Sequence, residues 1–169
     1  MSRLSMKQLG DILIDSLEFA REGRRLAGEV PVHALRRVTD VLADSGGTLD
    51  WVVRGECDAG QKPFLVVEVS GELQLECQRC LTALPFSLRI ESHLQLVPQG
   101  VAWPDEALED DSADPIEALT EQPLLPLIED EVLLALPIAP CHAACDPPAY
   151  EDGSAAVSPF ATLARLKKH

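Results

Sequence analysis

The stretch "FLVVEVSGELQLECQRCLTALPFSLRIESHLQLV", Phe64 to Val97, alternates apolar and polar residues on both sides of a single turn. Before the turn, Leu65, Val67, Val69, Leu73, Leu75 and Cys77 alternate against Glu68, Ser70, Glu72, Gln74 and Glu76. After it, Phe86, Leu88, Ile90, Leu94 and Leu96 alternate against Ser87, Arg89, Glu91, His93 and Gln95. Just upstream, "LDWVVRGEC" sets Leu49, Trp51, Val53 and Cys57 on one face. A period of two in consecutive runs joined by short turns predicts an antiparallel β-meander with one buried face. That face must be covered, and helices elsewhere in the chain are the candidates. The expected fold class is therefore α+β, an antiparallel meander packed by helices.

The turn itself is "CQRC", Cys77 to Cys80. A strand, a Cys-x-x-Cys turn and a second strand have the shape of a zinc knuckle, in which a tight turn aims both sulfurs at one point. Cys141 and Cys145, in "PCHAACDP", could complete a tetrahedron of four thiolates, or of three thiolates and an imidazole if His142 replaces one cysteine. Zinc is thus the candidate cofactor, against the plainer reading of unmetallated thiols at a turn. A thiol-based redox site using Cys77 and Cys80 is a third reading. Such a site places its cysteines at a helix N-terminus, whereas here a strand follows at Phe86, so redox catalysis is disfavoured. Arg79, between the cysteines, is the one residue that would lower a thiolate pKa. Cys57, alone on an apolar strand face, reads as a small buried hydrophobe.

Working outward, the chain reads as one domain over residues 1–169: a helical, basic part (1–45), strands (47–97), an acidic loop (104–122), a helix (123–136) and an irregular cysteine-bearing tail (137–169). "PVHALRRVTDVLA" predicts a helix opening at Pro31, with Leu35, Val38 and Leu42 on its apolar stripe and Gly46 and Gly47 ending it. In the second helix Leu124, Leu127, Ile128, Val132 and Ala135 form the inner stripe, with Glu129, Asp130 and Glu131 turned outward as a docking candidate for a protein. The terminal "PFATLARLKKH" is short, basic and amphipathic.

There are 28 acidic and 14 basic residues, for a formal net charge of -14. That balance opposes non-specific binding to nucleic acid or anionic membrane, both polyanions, and favours cationic partners. Contact with RNA would need a confined basic surface, for which Arg24, Arg25, Arg36, Arg37 and Arg79 are the candidates. No apolar run reaches the ~20 residues of a membrane span, and Asp11 and Asp15 interrupt any secretory core near the N-terminus. An odd five cysteines without an export signal point to reduced thiols in a cytosol. No phosphate-binding glycine loop or hydrolase motif is present, so neither enzymatic activity nor a small-molecule substrate is expected.

Three stretches, "LECQRCLTALPF", "IEDEVLLALPIAPCHAAC" and "SPFATLARLKK", resemble in that order the YceD family, the large ribosomal RNA subunit accumulation proteins. The resemblance runs from about Leu13 to the C-terminus. Cys77 and Cys80 fall on the family's Cys-x-Arg-Cys turn, and Cys141 and Cys145 in its more variable cysteine-bearing tail. The resemblance implies a cytoplasmic bacterial protein needed for accumulation of 23S ribosomal RNA, with no enzymatic activity. Its partner would be ribosomal RNA, or a ribosomal or RNA-processing protein.

Overall fold

A computed structural model describes residues 9–103 and 113–148 of the chain. The basic C-terminal segment and the first half of the acidic loop lie outside the described residues. In chain order the elements are β1 (Leu13–Ile14), α1 (Ser16–Arg21), β2 (Arg25–Pro31), a 3-10 turn (Val32–Ala34), α2 (Arg36–Thr39) and β3 (Leu42–Asp44). They continue with β4 (Thr48–Cys57), β5 (Pro63–Glu76), β6 (Ala83–Val97), β7 (Asp114–Glu117), β8 (Gln122–Pro123) and α3 (Leu124–Ala135).

The meander is present: β4, β5 and β6 pair antiparallel, with β2 outside β4 and β7 outside β6. The register aligns Trp51 with Val69 and Val69 with Ile90, so one row of large apolar side chains crosses three strands. All three are buried, as are Leu49, Val53, Leu65, Val67, Leu73, Leu75, Leu88, Leu94 and Leu96. Burial of each such side chain contributes about 1.5–3 kcal/mol, which fixes the strand register, since a one-residue slip would expose the whole row. The opposite face is mainly polar, with Val66 buried on it in register with Arg54 and His93. There Glu68 stands directly opposite Glu91, and Arg54 bridges them at 2.7 and 3.8 Å, offsetting a like-charge pair. His93 also sits on this exposed face, 3.7 Å from Glu91.

Helices cover the apolar face. Asp15 caps α1 by accepting a bond from the Glu18 N–H at 2.9 Å, and Phe19 and Ala20 are buried beneath it. The helix backbone rests directly on β4 at Gly55, where a Cβ would lie 2.2 Å from the Phe19 carbonyl oxygen. Only glycine permits that approach. α3 packs on β5, β6 and α2, burying Leu124, Leu127, Ile128 and Val132.

Several sequence expectations are corrected. The helix expected from Pro31 is broken: Pro31 ends β2 opposite Thr48, and Leu35 leaves helical geometry at φ -85, ψ 79. Leu42 then turns into β3, which pairs with β5 at Leu75. Sheet pairing overrides the 3.6-residue stripe, although Leu35 and Val38 are both fully buried. The acidic loop contains β7, parallel to β6, and β8, which pairs with β1. Ala135 is exposed rather than inner.

The outward orientation of the α3 carboxylates is corrected as well. Asp130 is exposed, but Glu129 and Glu131 are buried at 8% and 7% exposure. Glu129 accepts from the Arg37 backbone N–H at 2.6 Å and from its Nε at 2.8 Å. Arg37 also reaches Asp130 at 2.6 Å and the Pro126 carbonyl at 3.2 Å. A buried carboxylate is retained where its oxygens are satisfied, and here one arginine ties α2 to α3. Burial pushes the Glu131 carboxyl up, against a hydrogen bond with Ser92.

Candidate metal centre

The β5–β6 hairpin ends in a tight turn. Cys77 N–H donates to the Thr82 carbonyl at 2.9 Å, and Leu81 N–H donates to the Cys77 carbonyl at 2.8 Å. Closing this turn places Leu81 at φ 60, a left-handed conformation that side chains other than glycine adopt at a cost. The two cysteines thus stand at a hairpin tip and not at a helix N-terminus, the placement that thiol redox catalysis uses.

The chain leaving α3 returns to this tip. Gln78 N–H donates to the Pro140 carbonyl at 2.8 Å, and that bond lays the loop beside the turn. The Nδ1 or Nε2 of His142 and the sulfurs of Cys77, Cys80 and Cys145 then lie within 4.8 Å of one another. Cys141 is exposed and outside this group. Of the two ligand sets the sequence left open, the structure groups the one in which His142 replaces Cys141, with Cys141 left exposed. Cys57 is half-buried at the end of β4, its sulfur 3.8 Å from the Ala20 carbonyl.

The distances suit a tetrahedral ion. Metal–sulfur bonds of about 2.3 Å place two ligand sulfurs about 3.8 Å apart, and Cys77 Sγ and Cys145 Sγ are 3.8 Å apart. A sulfur and an imidazole nitrogen on such an ion stand about 3.5 Å apart, against 3.3 Å between Cys80 Sγ and His142 Nδ1. Three sulfurs and one imidazole are also the donor set that zinc favours. The cluster could therefore bind a metal ion.

The surroundings favour the thiolate at Cys77 and Cys80 but not at Cys145. Burial pushes the Cys77 thiol up, but the backbone N–H groups of Cys80, His142 and Arg79 outweigh it and hold the thiol down at about 5. The Thr82 hydroxyl, 3.1 Å from Cys80 Sγ, lowers the Cys80 thiol. Arg79 pulls Cys145 down, yet burial and the sulfurs of Cys80 and Cys77 leave that thiol above its ordinary value. Those of Cys77 and Cys80 raise the His142 imidazole. Thr82 was absent from the sequence reading; a hydroxyl two residues after the second cysteine is the signal that could have found it.

The other candidate contacts are dispersed. Arg24, Arg25 and Arg36 are exposed, with Arg24 lying over the Phe19 ring at 5.6 Å and 3.8 Å from Glu22. Arg37 is held by α3, and Arg79 is exposed beside the cysteines. No helix among the described residues is long and apolar enough to cross a membrane.

Comparison with known proteins adds an independent line. The chain is 30% identical over 176 residues to the large ribosomal RNA subunit accumulation protein YceD of Haemophilus influenzae, covering 93% of this chain and 95% of the relative. No solved structure matches it significantly. The sequence pattern of large ribosomal RNA subunit accumulation protein YceD matches residues 65–167, from the first buried leucine of β5 through the hairpin tip, α3 and the histidine-bearing loop. The chain belongs to the YceD family.

Proposed function

We propose that this protein is a non-enzymatic factor in the accumulation of 23S ribosomal RNA and the biogenesis of the large ribosomal subunit, acting in the bacterial cytoplasm. The observation that carries this reading is the match over 93% of the chain to a relative named for that role. Its direct partner is ribosomal RNA, or a ribosomal or RNA-processing protein. A net charge of -14 favours a basic protein as the first contact, because phosphate would be repelled except at a confined basic surface. Arg24 and Arg25, where β2 begins, and Arg36 on α2 are exposed candidates for such contact, and Asp130 is the outward carboxylate of α3, with one oxygen held by Arg37.

The same proposal assigns zinc to Cys77, Cys80, His142 and Cys145. The ion would supply a cross-link between the hairpin tip and the loop after α3. Four protein donors leave no open position for a substrate, the arrangement of a structural and not a catalytic site. That supports a role in holding a surface, without turnover.

Deleting the chromosomal gene and complementing it in trans tests the main reading. The 23S to 16S ribosomal RNA ratio should fall on deletion and recover with the intact chain. An unchanged ratio sinks the proposal. Crosslinking in cells, with both the attached RNA and the attached protein identified, separates the two partner classes.

A further inference from the structure

Arg79 occupies an unusual place. Its Nε donates to Cys145 Sγ at 3.0 Å, and its second guanidinium nitrogen donates to the His142 carbonyl at 3.0 Å. One rigid fork therefore engages a sulfur and a backbone oxygen on the loop opposite its own turn. Its backbone N–H is turned to Cys77. The residue read from sequence as a contact for RNA or a partner thus has two of its three guanidinium nitrogens bonded within the chain.

We propose that Arg79 is a positioning residue of the metal centre, clamping the loop from His142 to Cys145 onto the hairpin tip and neutralising the charge that three thiolates leave on a divalent ion. The inference rests on the zinc reading above. Three thiolates and one neutral imidazole around a dication carry one negative charge, and the guanidinium cancels it. A lysine ammonium could cancel the charge, but as a compact point donor it does not reproduce a planar fork that spans a sulfur and a carbonyl oxygen. The donor arm also fixes which side of Cys145 faces the ion, the kind of outer contact that orients metal ligands.

The test uses the full chain with cobalt(II) as a reporter for zinc, comparing wild type with Arg79→Lys and Arg79→Gln. Removing an outer contact of this kind lowers metal affinity about 10- to 100-fold. Because Arg79 is exposed and its charge is screened, a loss of about 10-fold is expected for Arg79→Gln and a smaller loss for Arg79→Lys. The thiolate-to-cobalt charge-transfer band should move to longer wavelength in Arg79→Gln, because a sulfur freed of its N–H donor gives up an electron more readily. That shift is a signature that a merely structural arginine would not produce. Far-UV circular dichroism of the metal-free variants confirms that each is folded, and Arg79→Lys carries the comparison should Arg79→Gln unfold. Wild-type affinity and an unmoved band in both variants overturn the role of Arg79 while leaving the zinc site standing. Failure of the wild type to bind either metal overturns the zinc reading and this proposal together.

Discussion

Removing the metal is the most direct perturbation of the centre, and the structure sets its size. The ligands come from two chain segments: Cys80 and His142 are 62 positions apart. Closing a loop of 62 residues constrains the unfolded chain by roughly 4 kcal/mol on a chain-entropy scale. Mass action gives a figure of the same order, since free zinc at roughly 1,000 times its dissociation constant contributes about 4 kcal/mol. For a chain of this length each kcal/mol moves the melting temperature by about 2–4 °C, so full removal should lower it by about 8–16 °C. The assay is a thermal melt of protein purified without chelator, repeated after chelation and again after zinc is restored, with elemental analysis at each stage. About one zinc per chain is expected before chelation. A melt that moves by less than about 2 °C while a stoichiometric metal leaves would refute the cross-link argument. Protein that never carries metal would refute the site itself.

Other outcomes follow from named residues. The Cys77 thiol is held down at about 5, against 9.0 for an ordinary cysteine. A depressed folded value means that Cys77 contributes stability that builds as pH rises from about 5 to 9.0 and is lost as pH falls back through that window, while the raised His142 imidazole contributes with the opposite sign. Urea melts across that range check it, and Cys77→Ser should flatten the profile. Gly55→Ala should cost about 3 kcal/mol or more, because its Cβ would meet the Phe19 carbonyl oxygen at 2.2 Å; a melt matching wild type would show that α1 does not rest on β4. Leu81→Gly should leave stability unchanged or raise it by up to about 1 kcal/mol, since relief of the left-handed conformation is partly offset by a freer unfolded chain. A clear loss in urea denaturation would mean that the exposed Leu81 side chain packs in a way its 57% exposure does not indicate.

The central sheet was legible because its signal is local. Each of the three runs states its inner face residue by residue, and Trp51, Val69 and Ile90 align as that alternation requires. What was illegible depended on distant partners. Leu35, Val38 and Leu42 satisfy helical spacing, but Pro31 and Leu42 have strand partners at Thr48 and Leu75 that win. β7 spans only Asp114–Glu117 and carries a proline; an edge strand tolerates that residue but shows no alternation to read. Nothing near Glu129 marks it as buried, because its cation lies 92 positions away. At the centre, spacing picked out both cysteine-bearing segments but could not choose between neighbours. Which of Cys141 and His142 turns inward is decided by the loop's path past Gln78.

The pairing of β4 with β5 bears on how this protein may be divided. The family pattern begins at residue 65, inside β5, which invites expression of the C-terminal part alone. Yet β5 is bonded to β4 from Pro63 to Ser70, and that partner lies upstream of the pattern. A fragment starting there would present a bare strand edge, rich in valine, to every other copy in solution. The N-terminal third, through β4, occupies the edge that would otherwise seed stacking between molecules. Truncation should be read out as insolubility before it is read out as lost function.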